Sequence, residues 1–406
     1  MFRREEGLDQ EQRASVADGY RAVLAHRRLV DHLTAGLSPR RHPEEQAETR
    51  VLLTGILGDQ LTREDAALRQ PDLDWEALLT VDAALAEVAD PVTRFGIRYA
   101  LPDWMAGRFI DQYGDEAESL AESLLTPPLR ALRVNTLVTQ PDDLARELAK
   151  DGVRADPSPW SPTGLLVTGA IDLFKHRTFR DGAFEFQDEA SQLVAQLVAP
   201  PPRGRVLDAC AGSGGKSLAV AALMKNGGQV LAVDISEKRL SQLRTRAARA
   251  RAFNLKWLHS APEAWSPEVE AFATRAQRIL LDAPCTGTGS LRRHPDARWR
   301  IGETSLAELV AIQRDLLRRA TRVLCVGSRI IYATCSLLRE ENEDQVDACL
   351  AEDPSLEVVR PREILGREAA EPFETPDQRF LVSLPHRHDT DGFFAAVLRR
   401  RAPVTA

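Results

Sequence analysis

Two cysteines in this chain stand where a short apolar run meets a polar turn, a setting in which a thiol is able to act as a nucleophile. Cys335 lies between two hydroxyl residues, Thr334 and Ser336. It follows the strand-forming run Ile330-Ile331-Tyr332-Ala333 and precedes an acidic segment, Glu340-Glu341-Asn342-Glu343, suited to opening a helix. Cys285 follows Ile279-Leu280-Leu281 across a turn that also carries Asp282. Open α/β sheets bind their ligands outside the carboxyl ends of their strands. If the strands ending near Asp282 and Ala333 are neighbours, both thiols and the carboxylate face one cleft, with a nucleophile and an acid–base group in reach of one substrate. A single cysteine is more often a core residue, but two at adjacent strand ends weaken that reading.

A second group of residues suits a cofactor. Val206-Leu207-Asp208-Ala209-Cys210-Ala211-Gly212-Ser213-Gly214-Gly215-Lys216-Ser217 reads as a strand, a small-residue turn and a helix start. A Walker A loop requires a glycine where Cys210 stands, and a dinucleotide fingerprint requires its third glycine where Ser217 stands, so neither phosphate motif is present. What remains is Asp208 at a strand end, glycines that let the backbone approach a ligand, and Asp234 ending the next strand, where a carboxylate accepts ribose hydroxyls. S-adenosylmethionine has a ribose and a cationic methionine end but no phosphate, and it fits this set.

The elements that must carry these residues follow from periodicity. From Gln10 to about Leu125 apolar residues recur at three- and four-residue spacing, as in Val51, Leu52, Ile56, Leu57 and Leu61, which predicts a helical N-terminal domain over residues 1–100. Pro43 and Pro71, each followed by acidic residues, are expected at helix starts. A connector at Pro102–Met105 leads to a small mixed α/β unit within residues 101–190, with strands near Leu132–Leu137, Leu165–Val167 and Phe184–Phe186. Its basic patch, Lys175, His176, Arg177 and Arg180, lies beside Phe184 and Phe186, a pairing suited to phosphate contact and base stacking. From residue 191 onward, strand and helix patterns alternate, which predicts an α/β domain with a doubly wound, mostly parallel Rossmann-like sheet. Phe380–Val382 and Phe393–Val397 are expected as its antiparallel edge.

Composition narrows the class. With 43% hydrophobic and 28% charged residues the chain is globular. The first six residues lead into no apolar stretch and no run approaches membrane-spanning length, so neither leader nor membrane segment is expected, and the cytoplasm is the expected location. Five cysteines without a C-x-x-C pair argue against a disulfide framework and a zinc site, and no metal is expected. A net charge of -7 means that a nucleic acid would need a local basic patch. Arg292, Arg293, His294 and Arg298, just after the Cys285 turn, supply one.

Taken together, Asp208–Lys216, Asp282-Ala-Pro-Cys-Thr-Gly-Thr-Gly289 with Arg293-His294-Pro295, Thr334-Cys335-Ser336 with Glu341-Asn342-Glu343, and Pro385-His386 with Thr390-Asp391-Gly392-Phe393-Phe394 resemble the Sun (RsmB/RsmF-like) family of RNA cytosine-C5 methyltransferases. Leu132–Thr136 and Phe186–Ser191 resemble the small domain that precedes the catalytic one, and the match covers about residues 100 to 400. The resemblance implies Cys335 as nucleophile toward cytosine C6, Cys285 as the thiol that assists product release, and Asp282 as the contact to the base. It also implies an S-adenosylmethionine site formed by Cys210, Ala211, Gly212, Ser213, Gly214, Gly215 and Lys216 with Asp208, Asp234 and Asp282. It implies an RNA partner, ribosomal RNA foremost, and a monomer is expected. Two positions depart from the family pattern: Ser213 replaces a proline, and Ser260 stands where an acidic residue commonly approaches the adenine. The N-terminal helices resemble a NusB-like domain by position and helicity alone.

Three alternatives share these residues. DNA cytosine methyltransferases use a Pro-Cys nucleophile, which would exchange the roles of Cys285 and Cys335. A methyltransferase of the same fold acting on a protein or small molecule would have little need of paired thiols. A non-catalytic RNA-binding or ribosome-assembly protein would have little reason to keep Cys335, Cys285 and Asp282.

Overall fold

The computed structural model describes residues 10–37, 41–168 and 172–402. The opening six residues, from which no leader is expected, lie outside the described residues. The chain forms two units, Met1–Pro127 with Ser290–Glu303, and Pro128–Gly289 with Thr304–Ala406.

The first unit is helical, as the three- and four-residue spacing predicts, and the helices continue past residue 100 to Ala117–Ser123. Pro43 opens the helix Pro43–Leu57, with His42 as its cap. Pro71 instead lies in a turn, and Asp74 caps the following helix Trp75–Leu78. The supposed connector at Pro102 is a helix start, because Asp103–Tyr113 is helical. Leu29, Val30, Leu33, Leu52, Leu53, Trp75 and Leu85 form the core.

The segment Ser290–Glu303 was expected as an exposed basic patch, and for Arg298 that is incorrect. Arg298 is fully buried, and its guanidinium donates to the backbone carbonyls of Ala25 at 3.3 Å and Leu124 at 3.2 Å. Trp299 Nε1 donates to the Leu24 carbonyl at 2.9 Å. Leu124 caps the helix Ala117–Ser123, where a carbonyl lacks an intrahelical partner, whereas Leu24 and Ala25 lie inside the helix Gln10–Thr34, where the side chains add a second donor. Arg292 is 7% exposed and donates to the Thr126 carbonyl, Arg293 is half-buried, and His294 is exposed.

The second unit holds two sheets. The smaller is antiparallel, built from β1 (Arg130–Val134), β2 (Arg154–Pro157), β3 (Gly164–Thr168) and β4 (Phe184–Phe186) in the order β2-β3-β1-β4. Phe184 was read as a stacking residue, but it is fully buried in this sheet's core with Leu132, Leu144 and Leu165. Phe174 is exposed, its ring tilted against that of Phe186 with centroids 4.3 Å apart.

The larger sheet contains β5 (Arg205–Asp208), β6 (Gln229–Asp234), β7 (Leu255–His259), β8 (Arg278–Asp282), β9 (Arg329–Thr334), β10 (Leu356–Val359), β11 (Leu381–Ser383) and β12 (Phe393–Arg400). Its order is β10-β12-β9-β8-β5-β6-β7, with β11 also paired to β12. Strands β5 to β9 run parallel, and β12 enters antiparallel beside β9. The antiparallel end expected from Phe380–Val382 and Phe393–Val397 is present as β11 and β12. Outside β12 lies one further strand, β10, whose four residues, Leu356-Glu357-Val358-Val359, are too short a signal to register. Near-continuous apolar strands such as Ile279–Leu281 and Ile330–Ala333 are buried on both faces, as a parallel sheet covered by helices requires.

Candidate active site

Strands β8 and β9 are parallel neighbours with Asp282 paired in register to Ala333, so the turns that follow them begin side by side. Cys285 and Cys335 meet there, with their sulfurs 3.4 Å apart and both thiols free. Cys285 is held well above the ordinary thiol range. Its hydrogen bond to Cys335 is the largest cause, followed by burial and the charges of Cys335 and Glu341. Either thiol can donate in this contact, and the surroundings of Cys285 favour its protonated form.

The turns are fixed by a buried polar network. Glu341, which is fully buried, accepts from the Thr286 backbone N–H at 2.9 Å and the Thr286 hydroxyl at 2.5 Å. Gln313 Nε2 donates to Glu341 at 3.0 Å and to the Pro284 carbonyl at 2.8 Å. Thr334 donates to Asn342 at 2.5 Å, and Asn342 donates back to the Ser336 carbonyl at 3.0 Å. Gly289 donates its N–H to the Cys335 carbonyl at 2.9 Å and Leu337 donates its N–H to the Thr288 hydroxyl at 2.8 Å, so each thiol turn carries a bond from the other. Thr286, Gln313 and the roles of Glu341 and Asn342 escape sequence reading, although Glu341 and Asn342 stand in a quoted motif. A buried charge whose partners lie 28 and 55 residues away leaves no local pattern.

The glycine turn after β5 comes next to these thiols through Lys216. Its ammonium pairs with Asp282 at 2.7 Å and lies 4.8 Å from the Phe393 ring centroid. Gly212 and Gly214 have φ of +55° and +85°, a region that favours glycine, and a Cβ at Gly212 would meet nothing within 4 Å. Asp234 accepts from the Gly212 N–H and the Ser236 N–H, both at 2.8 Å, which fixes its carboxylate at the end of β6 and leaves each oxygen a further lone pair. Ser260 donates its N–H to the Asp234 carbonyl and its hydroxyl to the Ala264 carbonyl at 3.2 Å. Its side chain is thereby spent on its own loop.

Charge in this region is mainly negative. Asp208 is buried and pushed up to about 7, by burial first, with the Ser217 hydrogen bond opposing. Cys210 is held far above the thiol range by burial and then by the charges of Asp208, Asp282 and Asp234, so the three carboxylates converge on one place. An acidic pocket with one lysine, an open glycine turn and a fixed carboxylate at the second strand end suits a cationic nucleoside rather than a phosphate ester. The residues present fit S-adenosylmethionine.

The remaining expected residues lie elsewhere. Lys175 pairs with Asp172 at 3.4 Å, and Arg177 pairs with Glu147 and Asp181. Arg292, Arg293, His294 and Arg298 belong to the helical unit.

Fold and site together define a Rossmann-like methyltransferase. The chain belongs to the family described as 16S rRNA methyltransferase RsmB/F, whose model matches residues 195–399, and the ferredoxin-like domain that accompanies it matches residues 101–173. The "Probable ribosomal RNA small subunit methyltransferase B" of Bacillus subtilis (strain 168) is 33% identical over 321 residues, 77% of this chain and 69% of that protein. The ribosomal RNA small subunit methyltransferase F of Cronobacter sakazakii is 35% identical over 286 residues, 68% of this chain and 58% of that protein. Among solved structures, that of PH0851 superposes with a TM-score of 0.77 at 28% identity, covering 98% of this chain and 92% of the other.

Proposed function

We propose that this protein transfers a methyl group from S-adenosylmethionine to C5 of a cytosine in RNA, ribosomal RNA foremost, through a covalent bond between Cys335 and C6. The observation that carries this reading is the pair of free thiols 3.4 Å apart at the ends of adjacent parallel strands. Methyl transfer to nitrogen or oxygen has little need of such a pair, whereas cytosine C5 becomes nucleophilic enough only when a thiolate adds at C6.

Bound S-adenosylmethionine supplies an activated methyl group on a sulfonium. Asp234 would hold the ribose and the turn from Cys210 to Lys216 the methionine end. Cys335 attacks C6 as a thiolate, the nucleophilic form of a thiol. Asp282, already oriented by Lys216, would contact the base at N3 or its amino group. Once the Cys335 sulfur is bonded to carbon it no longer accepts from Cys285, and the largest influence keeping Cys285 protonated is gone. Cys285 then gives its proton to solvent and takes the C5 proton, directly or through water, and the C6–S bond breaks. The target base must leave any stack to reach this site, so unpaired or transiently opened RNA is the substrate.

The test is incubation with labelled S-adenosylmethionine and ribosomal RNA. Label should appear as 5-methylcytosine. Cys335→Ala should form no covalent RNA complex, and Cys285→Ala should accumulate one that survives denaturing electrophoresis. The reverse pattern would exchange the roles of the thiols, and label outside cytosine C5 would overturn the reading.

A further inference from the structure

We propose that Glu341 is a positioning residue that couples the two thiol turns and assigns the thiols their separate roles. This rests on the two-thiol reading above. Glu341 brackets Cys285 from both sides, because its carboxylate accepts from Thr286 and, through Gln313, reaches the Pro284 carbonyl. It also touches the strand that carries the other thiol. The hydroxyl of Tyr332, three residues before Cys335, donates to the Glu341 backbone carbonyl at 2.5 Å.

The charge calls for its own explanation. Burying a carboxylate costs several kcal/mol unless donors satisfy it, and a neutral side chain would join the same turns at lower desolvation cost. What a neutral group would not do is oppose a second negative charge nearby. The titratable groups near Cys285 are Tyr332 from β9, Cys335 and Glu341 from the segment after it, and Asp282 at the end of β8, whose carboxylate is paired with Lys216. Tyr332 is itself held well above the phenol range, by burial first and then by the charges of Cys285 and Glu341. The Glu341 charge thus adds to the Cys335 hydrogen bond and to burial in keeping the proton on Cys285. Cys335 is left as the sulfur able to attack, and Cys285 becomes the stronger base once it does ionise.

The experiment reads this directly, with neither RNA nor cofactor present. Alkylation of each cysteine by iodoacetamide is followed against pH by peptide-mapping mass spectrometry. In the natural protein Cys335 should react before Cys285, and the midpoint for Cys285 should lie above the ordinary thiol value of about 8.5. Glu341→Gln, which keeps an acceptor for Thr286 and removes the charge, should speed Cys285 alkylation at neutral pH by about tenfold, the equivalent of one pKa unit. Thr286→Ala loosens the same network but keeps the charge, and it should not speed Cys285 at all. Equal acceleration in both variants, or none in Glu341→Gln, overturns the proposal, and either variant alone remains decisive if the other does not fold. In methyl transfer, Glu341→Gln should lower kcat and shift its pH profile while KM for RNA stays within about twofold, since only the reacting groups are disturbed. Failure of cytosine methylation with a normal alkylation pattern would sink the catalytic reading alone. Normal methylation without the alkylation shift would sink this inference alone.

Discussion

Asp208 offers the clearest pH dependence in the molecule. Its carboxyl is pushed up to about 7 in the folded chain, well above the ordinary carboxylate range, because burial disfavours the charged form. A group with a raised folded pKa contributes stability that is fully present below the unfolded value and lost as pH rises through the folded one. Asp208→Asn removes that dependence. Relative to the natural protein, the variant should gain unfolding free energy as pH rises from 4 toward 7 and gain no more above it, as measured by urea denaturation at a series of pH values. The positions of Cys335, Cys285, Asp282 and Asp234 were legible in the sequence, since each ends or closely follows an apolar strand. Glu341 and Arg298 were not legible in their roles. Each is a charge whose burial depends on partners brought near only by the fold, and sequence patterning treats a charge as solvated by default.

Among elements, the turns matter more than the strands. Gly289 is clamped: its carbonyl accepts from the Gly392 N–H at 2.8 Å while its N–H donates to the Cys335 carbonyl. A Cβ at Gly289 would lie 2.1 Å from the Gly392 carbonyl oxygen, and backbone does not yield as a flexible side chain does. Gly289→Ala should therefore part the Cys285 turn from the start of β12, costing about 1–3 kcal/mol of stability. It should also abolish covalent RNA complexes even though both thiols remain, a pattern that thermal denaturation and electrophoresis together detect. The parallel strands were legible because each is an apolar run bounded by turn residues. The edge strand β10 and strand β2 were not, because four residues without alternation fall below what periodicity resolves.

At the scale of the whole molecule, the acidic chain has to attract RNA with what basic surface it leaves available. Phosphate contacts give binding a salt dependence whose slope counts them. Lys175→Ala should reduce that slope by about one. Arg298→Ala should leave the slope unchanged and instead lower the melting temperature, because it empties a buried position and takes a donor from the carbonyl of Leu124 at a helix end. Binding measured across a salt series, beside calorimetry, separates the two. The burial of Arg298 also bears on how the protein is made. A nascent chain emerges from its N-terminus, and the helices through Pro127 are complete long before Ser290–Glu303 is synthesised. Until that segment arrives, the seat of Arg298 has no occupant and the helical unit lacks part of its own interior. The N-terminal domain is thus among the last parts of the protein to reach its final form.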